Sequence, residues 1–480
     1  MNYFFIILFF AIYLLIARRR LDWAVMFILM ALPLYLWRFR ILGVPFTVLE
    51  GMVLISFFVW LFSATKFKDF IKGKYGLKEY FKNIKKRKAY PFGFSVIIVA
   101  VVSLLAVVIA GFSFPALGIW KAYFFEPLLF FILILNIFQD KKGFRKIIFS
   151  LSISAFVVSA YAIIQKITGI GISNQFWADA ATRRVVSFFG YPNAVGLYLA
   201  PIVMLILGYF YKNCNPKRVY ENIFFSLTIL FSLSAIYFAG SEGALIGVLA
   251  ALLIFGLFAD RISRRITIGF VLAVVLLVSF VQPIREYAFK KTTLMDLSGQ
   301  IRRQQWQETW EMLTDGRMVQ GSGLAGYQQA ILPYHSDGIF YDDGSDPDFH
   351  RHTVFNAEYR TKAWQPVEIY LYPHNIILNF WTELGLAGAL VFLWLFIKAL
   401  YILFNDFIYR IKNYPKDEIC PYVSLGIIGA LITMLIHGLV DVPYFKNDLA
   451  IIFWTIIALT GLIEIRLDQL KNRKKVEVIE

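Results

Sequence analysis

His374 and Asn375 close the only long hydrophilic segment of this 480-residue chain, roughly residues 282 to 373, and the next residues run straight into a hydrophobic span. From Tyr372 to Gly385 an imidazole, two amides (Asn375, Asn379) and the Glu383 carboxylate are threaded through an otherwise apolar run. Ionisable groups at such a depth are costly and mark functional sites. The competing reading is an interfacial anchor of the kind Trp and Tyr provide. Two arginine pairs, Arg183-Arg184 and Arg302-Arg303, stand at other borders of apolar runs. A guanidinium makes two parallel charge-assisted bonds and so suits a diphosphate. It also snorkels to lipid headgroups, which is the alternative for both pairs. Two fixed cations and a base are what transfer from a diphosphate requires. Negative charge grows on the leaving oxygen, and arginines in a dry site stabilise it. A histidine beside two cations is expected to stay neutral, as a base must.

Three further constellations carry weaker signals. Gly321-Ser322-Gly323-Leu324-Ala325-Gly326 has the form G-x-G-x-x-G. It follows a helical pattern rather than a strand, so it reads as a tight turn and not as a dinucleotide site. Asp337, Asp342, Asp343, Asp346 and Asp348, followed by His350-Arg351-His352, offer oxygen and nitrogen ligands. No spacing matches a known metal loop, and the Asp-Gly and Asp-Pro signals favour a solvated, turn-rich excursion. Within or beside the apolar runs lie Glu50, Lys121, Glu126, Glu242, His437 and Asp441. Lys121 and Glu126 are expected to pair, and His437 and Asp441, four apart, to face one cavity.

The elements that must position these groups are membrane helices. The chain is 59% hydrophobic and 17% charged, with a mean hydropathy of +0.64. A soluble protein of this size cannot bury so much apolar surface, so the class is an all-α polytopic membrane protein. Thirteen runs reach or approach the roughly 20 residues a span needs: 2–17, 21–37, 43–64, 92–110, 119–138, 147–167, 191–211, 222–239, 243–258, 266–281, 376–404, 421–439 and 448–465. The run 21–37 is short, and without it the count is twelve. The net charge of +16 gathers in short connections, 66–88 above all. That is the positive-inside pattern, and it places those connections, with Cys214 and Cys420, in the cytoplasm. No basic face on a soluble domain is visible, so nucleic acid is excluded as a partner. Met1 opens directly on an apolar run, which reads as a retained span.

Four regions follow: N-terminal spans over 1–281, an extracytoplasmic loop over 282–373, C-terminal spans over 374–465 and a basic cytoplasmic tail over 466–480. Inside the loop, Trp306, Trp310 and Leu313 recur at helical spacing, which predicts an amphipathic helix from Ser298 to Leu313.

Read in order, Arg184-Val185-Val186-Ser187-Phe188-Phe189-Gly190-Tyr191-Pro192-Asn193, then Arg302, Trp306, Gly321-Ser322-Gly323 and Tyr327, then His374-Asn375 with Gly385, resemble the motif blocks of O-antigen ligases and related polymerases. The similarity covers about 184–441. It implies a GT-C-like helical fold and a membrane glycosyltransferase of the bacterial cytoplasmic membrane, with its site facing outside. The donor it implies is a glycan on undecaprenyl diphosphate, with neither metal nor nucleotide sugar required. The acceptor is a hydroxyl on a glycan, lipid or protein. Carried over, His374 activates that hydroxyl, while Arg184 and Arg302 hold the diphosphate. Arg183, Arg303, Asn193 and Asn375 join them as substrate-binding candidates. Ser241-Glu242-Gly243 departs from the pattern, since relatives often carry arginine after the serine. A transporter or flippase for lipid-linked glycans is the competing class; it calls for inverted repeats, and none is visible.

Overall fold

The computed structural model describes residues 3–41, 44–63, 91–212, 218–413 and 420–477. The connection 66–88 and Cys214 lie outside the described residues. Helices dominate. In chain order they are α1 (Tyr3–Arg19), α2 (Leu21–Met30), α3 (Val48–Ser63), α4 (Gly93–Ile109), α5 (Phe114–Trp120), α6 (Glu126–Ile137), α7 (Lys141–Thr168), α8 (Asn193–Phe210), α9 (Val219–Phe238), α10 (Glu242–Ala259) and α11 (Arg261–Phe280). A π-helical turn, Lys121–Phe125, joins α5 to α6. After them come α12 (Gln282–Thr292), α13 (Leu297–Thr314), α14 (Ile376–Asn413), α15 (Pro421–Gly438) and α16 (Asn447–Glu477).

Among the described residues, nine helical segments are long and apolar enough to cross a membrane, and α2, α3 and α4 are shorter apolar helices. The chain is a multi-pass membrane protein. The run 21–37 has a physical solution. Helix α2 has ten residues, about 15 Å at 1.5 Å per residue, but it continues as the 3-10 helix Leu32–Leu36. Asp22 pairs with Lys146 at the start of α7, the basic end of the bundle. Tyr35 lies beneath the Lys446 ammonium at the opposite end. The two short helices together therefore run from one end to the other.

Helix α15 is the axis of the bundle and packs against α8, α10 and α14. Small residues allow the closest crossing: a Cβ on Gly426 would meet the Gly208 Cα at 2.6 Å, so α8 and α15 touch backbone to backbone. Helix α11 is at the rim and turns Leu272, Val275 and Leu276 outward, as a lipid-facing helix does. Helix α3 starts on a reciprocal cap: Glu50 N–H donates to Thr47 Oγ1 and Thr47 N–H donates to Glu50 Oε2. Lys121 pairs with Glu50 at 3.1 Å. The expected Lys121–Glu126 pair does not form, because Glu126 is buried and its Oε1 has no partner. A helical turn separates the two in sequence, but the partner on the neighbouring helix wins.

The long connection 282–373 is folded. It contains α12, α13, the short helices Tyr327–Ile331, Phe349–Phe355 and Ala357–Ala363, and an antiparallel hairpin of β3 and β4. In chain order the strands are β1 (Arg38–Ile41) and β2 (Val44–Thr47), a hairpin between α2 and α3, then β3 (Gly338–Phe340) and β4 (Trp364–Pro366). Met312 and Leu313 of α13 pack with Tyr327, Ala330 and Ile331 in a small core of its own. The helix expected at Ser298–Leu313 runs from Leu297 to Thr314.

Candidate functional site

His374 stands at the mouth of the bundle, between the long connection and α14. Its backbone is left-handed, with φ +45°. Non-glycine residues visit that region uncommonly, and they stay there when their surroundings hold them. Here three devices hold it. Trp306 Nε1 on α13 donates to the Pro373 carbonyl at 2.9 Å, and Gln305 Nε2 donates to the Tyr372 carbonyl at 3.2 Å. On the other side, Asn375 Oδ1 accepts from the N–H groups of Ile377 and Leu378, capping α14, and its Nδ2 donates to the Leu439 carbonyl. The rings of Tyr370 and Tyr372 stand edge-on to the imidazole, each with centroids 5.0 Å away. The indole of Trp306 is thus spent on positioning His374.

A polar chain then links His374 to Arg184 across 190 residues of sequence. His374 Nδ1 is buried, has no hydrogen-bond partner and lies 3.8 Å from Asp441 Oδ1. Asp441 Oδ2 accepts from Asn193 Nδ2 at 3.2 Å, and Asn193 Oδ1 accepts from Arg184 Nη2 at 3.3 Å. Arg184 is anchored further by Nε to the Ala239 carbonyl (2.9 Å) and by Nη2 to the Gly240 carbonyl (3.1 Å). Burial lowers the guanidinium's hold on its proton, and the nearby Glu242 opposes this. Burial alone would raise the Asp441 carboxyl. The side chain of His374 and the charge of the His437 ring outweigh it and hold the group down at about 2. His437 and Asp441 are both buried.

Arg302 stands on α13 four residues before Trp306, and its Nη1 donates to Ser298 Oγ at 2.9 Å. The neighbours of the two arginines go elsewhere. Arg183 is a helix-end clamp: its guanidinium donates to the carbonyls of Lys166, Ile167 and Ala178, closing the C-terminus of α7. Arg303 points to the far face of α13 and lines a cavity in the folded connection.

The glycine blocks have a mechanical explanation. Helix α14 is broken at Gly385, which has φ +73° and ψ 179°, a conformation essentially restricted to glycine. The turn Gly321-Ser322-Gly323 docks into the break. Ser322 N–H donates to the Thr382 carbonyl at 2.6 Å, Leu386 N–H donates to the Val319 carbonyl at 3.0 Å, and Ala325 N–H donates to Glu383 Oε2 at 2.7 Å. A Cβ on Gly385 would meet the Val319 oxygen at 2.4 Å. Gly385→Ala is therefore expected to destabilise the protein by about 1–3 kcal/mol from backbone strain alone, with the steric clash added. Thermal unfolding of the purified protein in detergent measures it, and an unshifted midpoint would contradict the account.

Residues missed by the sequence argument complete the surroundings. Lys446 holds its ammonium over the rings of Phe189 (4.6 Å), Tyr191 (5.3 Å) and Tyr35 (5.4 Å). Tyr191 in turn touches Tyr372 hydroxyl to hydroxyl. A lysine immediately before a membrane helix carries no signal that aromatic rings from distant segments will surround it. Gln305 was likewise invisible, because its role is to a backbone carbonyl. In the acidic excursion, His352 Nδ1 is 2.7 Å from Asp346 Oδ2. Among the described residues, no three His, Cys, Asp or Glu side chains converge as metal ligands do.

Two comparisons bear on this arrangement. Residues 227–393 match the family model described as O-antigen ligase. That stretch holds Arg302, Trp306, the glycine turn, His374 and Gly385, while Arg184, Asn193 and Asp441 lie outside it. No curated protein matches the chain.

Proposed function

We propose that this chain, which carries an O-antigen ligase domain over residues 227–393, moves a glycan from undecaprenyl diphosphate to an acceptor hydroxyl on the outer side of the bacterial cytoplasmic membrane. The observation that carries the reading is the chain Arg184–Asn193–Asp441–His374, and Arg302 sits on the helix that also pins the His374 backbone. It joins a cation suited to diphosphate to an oriented base.

In this reading, with Nδ1 turned to Asp441, His374 uses Nε2 as base. Nε2 takes the proton of the acceptor hydroxyl as its oxygen bonds to the anomeric carbon. The bond from that carbon to the phosphate oxygen breaks, and undecaprenyl diphosphate leaves with the electron pair. Arg184 and Arg302 neutralise the charge that develops there. Asn193 keeps Arg184 and Asp441 in register. Asn375 fixes the chain direction after the base through its cap, and Arg183 shapes the loop that presents Arg184. The reaction as drawn uses side chains only. The transport alternative is not favoured, because the matched domain is that of a ligase.

The test is direct. Purified protein given undecaprenyl-diphosphate oligosaccharide and membrane extract as acceptor source is expected to release undecaprenyl diphosphate and to elongate or glycosylate an acceptor. Movement of intact donor across a proteoliposome membrane without release would instead establish transport.

A further inference from the structure

We infer that the cavity on the far face of α13 from His374 seats the acceptor, and that this acceptor is an oligosaccharide; the inference rests on the glycan-transfer reading and names the substrate class that reading leaves open. Gln300, Arg303, Gln304 and Gln307 recur at i, i+3, i+4 and i+7, so they share one face of α13. That face lines a cavity of ≈ 810 Å³, within the range of ligand sites, about 300–1,000 Å³. The facing wall includes Phe340 and Trp364 from β3 and β4, and Arg360 from the short helix Ala357–Ala363 that leads into β4.

The chemistry of the lining is that of a sugar site. A sugar presents neighbouring hydroxyls at its rim and a C–H surface on its face. Arginine and glutamine side chains are planar and make paired bonds to such hydroxyls. Aromatic rings cover the apolar face. Arg303 makes no hydrogen bond or ion pair among the described residues, so its donors are uncommitted. Gln304 and Gln307 spend their N–H groups on Glu308 and Glu311, at 3.0 Å each, which leaves their carbonyl oxygens for a ligand. Trp364 packs on Phe340 with ring centroids 5.1 Å apart, and Arg360 stands over the Phe340 ring at 5.3 Å. The wall is locked rather than loose: Gln300 bonds the Asp342 backbone through both its amide nitrogen and its oxygen. A pocket so rich in amide and guanidinium groups does not suit a lipid chain.

Position supplies the second half of the argument. The same helix shows its opposite face to the catalytic segment, through Gln305 and Trp306. Cavity and base are therefore separated by about one helix diameter, ~10–12 Å with side chains. An occupant held in the cavity has to extend past α13 to offer a hydroxyl to His374. One sugar ring is too short for that, and a chain of them is not.

The experiment uses the full-length protein in nanodiscs. The probe is the oligosaccharide fraction freed by mild acid from the membrane extract that serves as acceptor source, cleared beforehand of undecaprenyl-diphosphate-linked glycan and observed by saturation-transfer NMR. Wild type is expected to saturate the sugar resonances. Arg360→Ala with Gln307→Ala, two exposed positions, is expected to weaken that transfer at least tenfold. Trp364→Phe, which keeps an aromatic ring in the hairpin, should weaken it to a lesser degree, and Arg351→Ala, outside the cavity, should leave it intact. Full binding by the double variant, or none by wild type, overturns the inference; the latter with transfer still running would point to a protein or lipid acceptor. Release of undecaprenyl diphosphate, followed on the same wild-type sample, separates the two readings. Glycan binding without any release sinks the transfer reaction and leaves the cavity assignment standing.

Discussion

His374→Ala is expected to lower the proposed glycan transfer by a factor of about 10²–10⁴, the usual worth of a general base, while binding of the lipid-linked donor persists. The expectation follows from the division of labour in the site. The groups suited to the diphosphate, Arg184 and Arg302, are not anchored through the imidazole: Arg184 is held by the Ala239 and Gly240 carbonyls and by Asn193, and Arg302 by Ser298. Removing the ring leaves these contacts in place. The His374 backbone is pinned from outside by Trp306 and Gln305, so the truncated residue has little reason to carry the loop with it. Single-turnover transfer and equilibrium binding of the donor, measured on the same preparation, check the split. Full transfer by the variant would return His374 to the role of an interfacial anchor. Equal loss of binding and transfer would make it a structural residue.

Asp441→Asn is the second large effect, expected at roughly 10² or more, since replacing the carboxylate that orients a catalytic histidine by an amide costs up to ~10⁴ in the serine proteases. The argument is a count of donors and acceptors. Asp441 turns Oδ2 to Asn193 Nδ2, while Oδ1 accepts from the Val442 N–H at 2.8 Å and lies 3.8 Å from His374 Nδ1. An asparagine has one acceptor oxygen and one NH₂ donor. If the oxygen stays with Asn193, the NH₂ faces His374 and favours the tautomer with the proton on Nε2, which cannot act as the base. If the amide flips, two NH₂ groups meet and the link to Arg184 breaks. Either way the relay fails while the shape of the residue is kept. The pH dependence separates this from mere damage. The Asp441 carboxyl is held at about 2 in the folded protein, below the ordinary aspartate value of ~3.9. Its stabilising charge is therefore complete above ~4 and is lost only as pH falls toward 2. Wild-type transfer is therefore expected to lose the Asp441 contribution only below pH ~4, and Asp441→Asn should lack that acid-side loss. An Asp441→Asn protein with the wild-type rate and the same acid-side loss would remove Asp441 from the mechanism.

Much was legible in the chain because hydrophobicity and charge act locally. Each apolar run specifies a helix by itself, since a backbone inside lipid has to satisfy its own hydrogen bonds. Thus the run 421–439 became Pro421–Gly438, and all of 266–281 but its last residue lies within Arg261–Phe280. The polar exceptions, His374, Arg184, Arg302 and the His437–Asp441 spacing, stood out against that background. What lies beyond such local logic is pairing. Lys121 chose Glu50 over Glu126 because α3 and α6 were brought side by side by packing. Arg183 and Arg184 are adjacent and chemically identical, yet one clamps the end of α7 and the other faces the site, since neighbouring residues in an extended loop point to opposite sides. The sequence by itself determined a multi-pass helical bundle, the place where a polar segment enters it and the residue types able to do chemistry there. Only the tertiary structure decided that Asp441 and Asn193 join His374 to Arg184, that Trp306 holds the backbone before His374, and that Gly321 and Gly385 fit into one another. Those relations depend on how helices far apart in the chain cross and on which backbone carbonyls are left over when they do, and neither is written in any single segment.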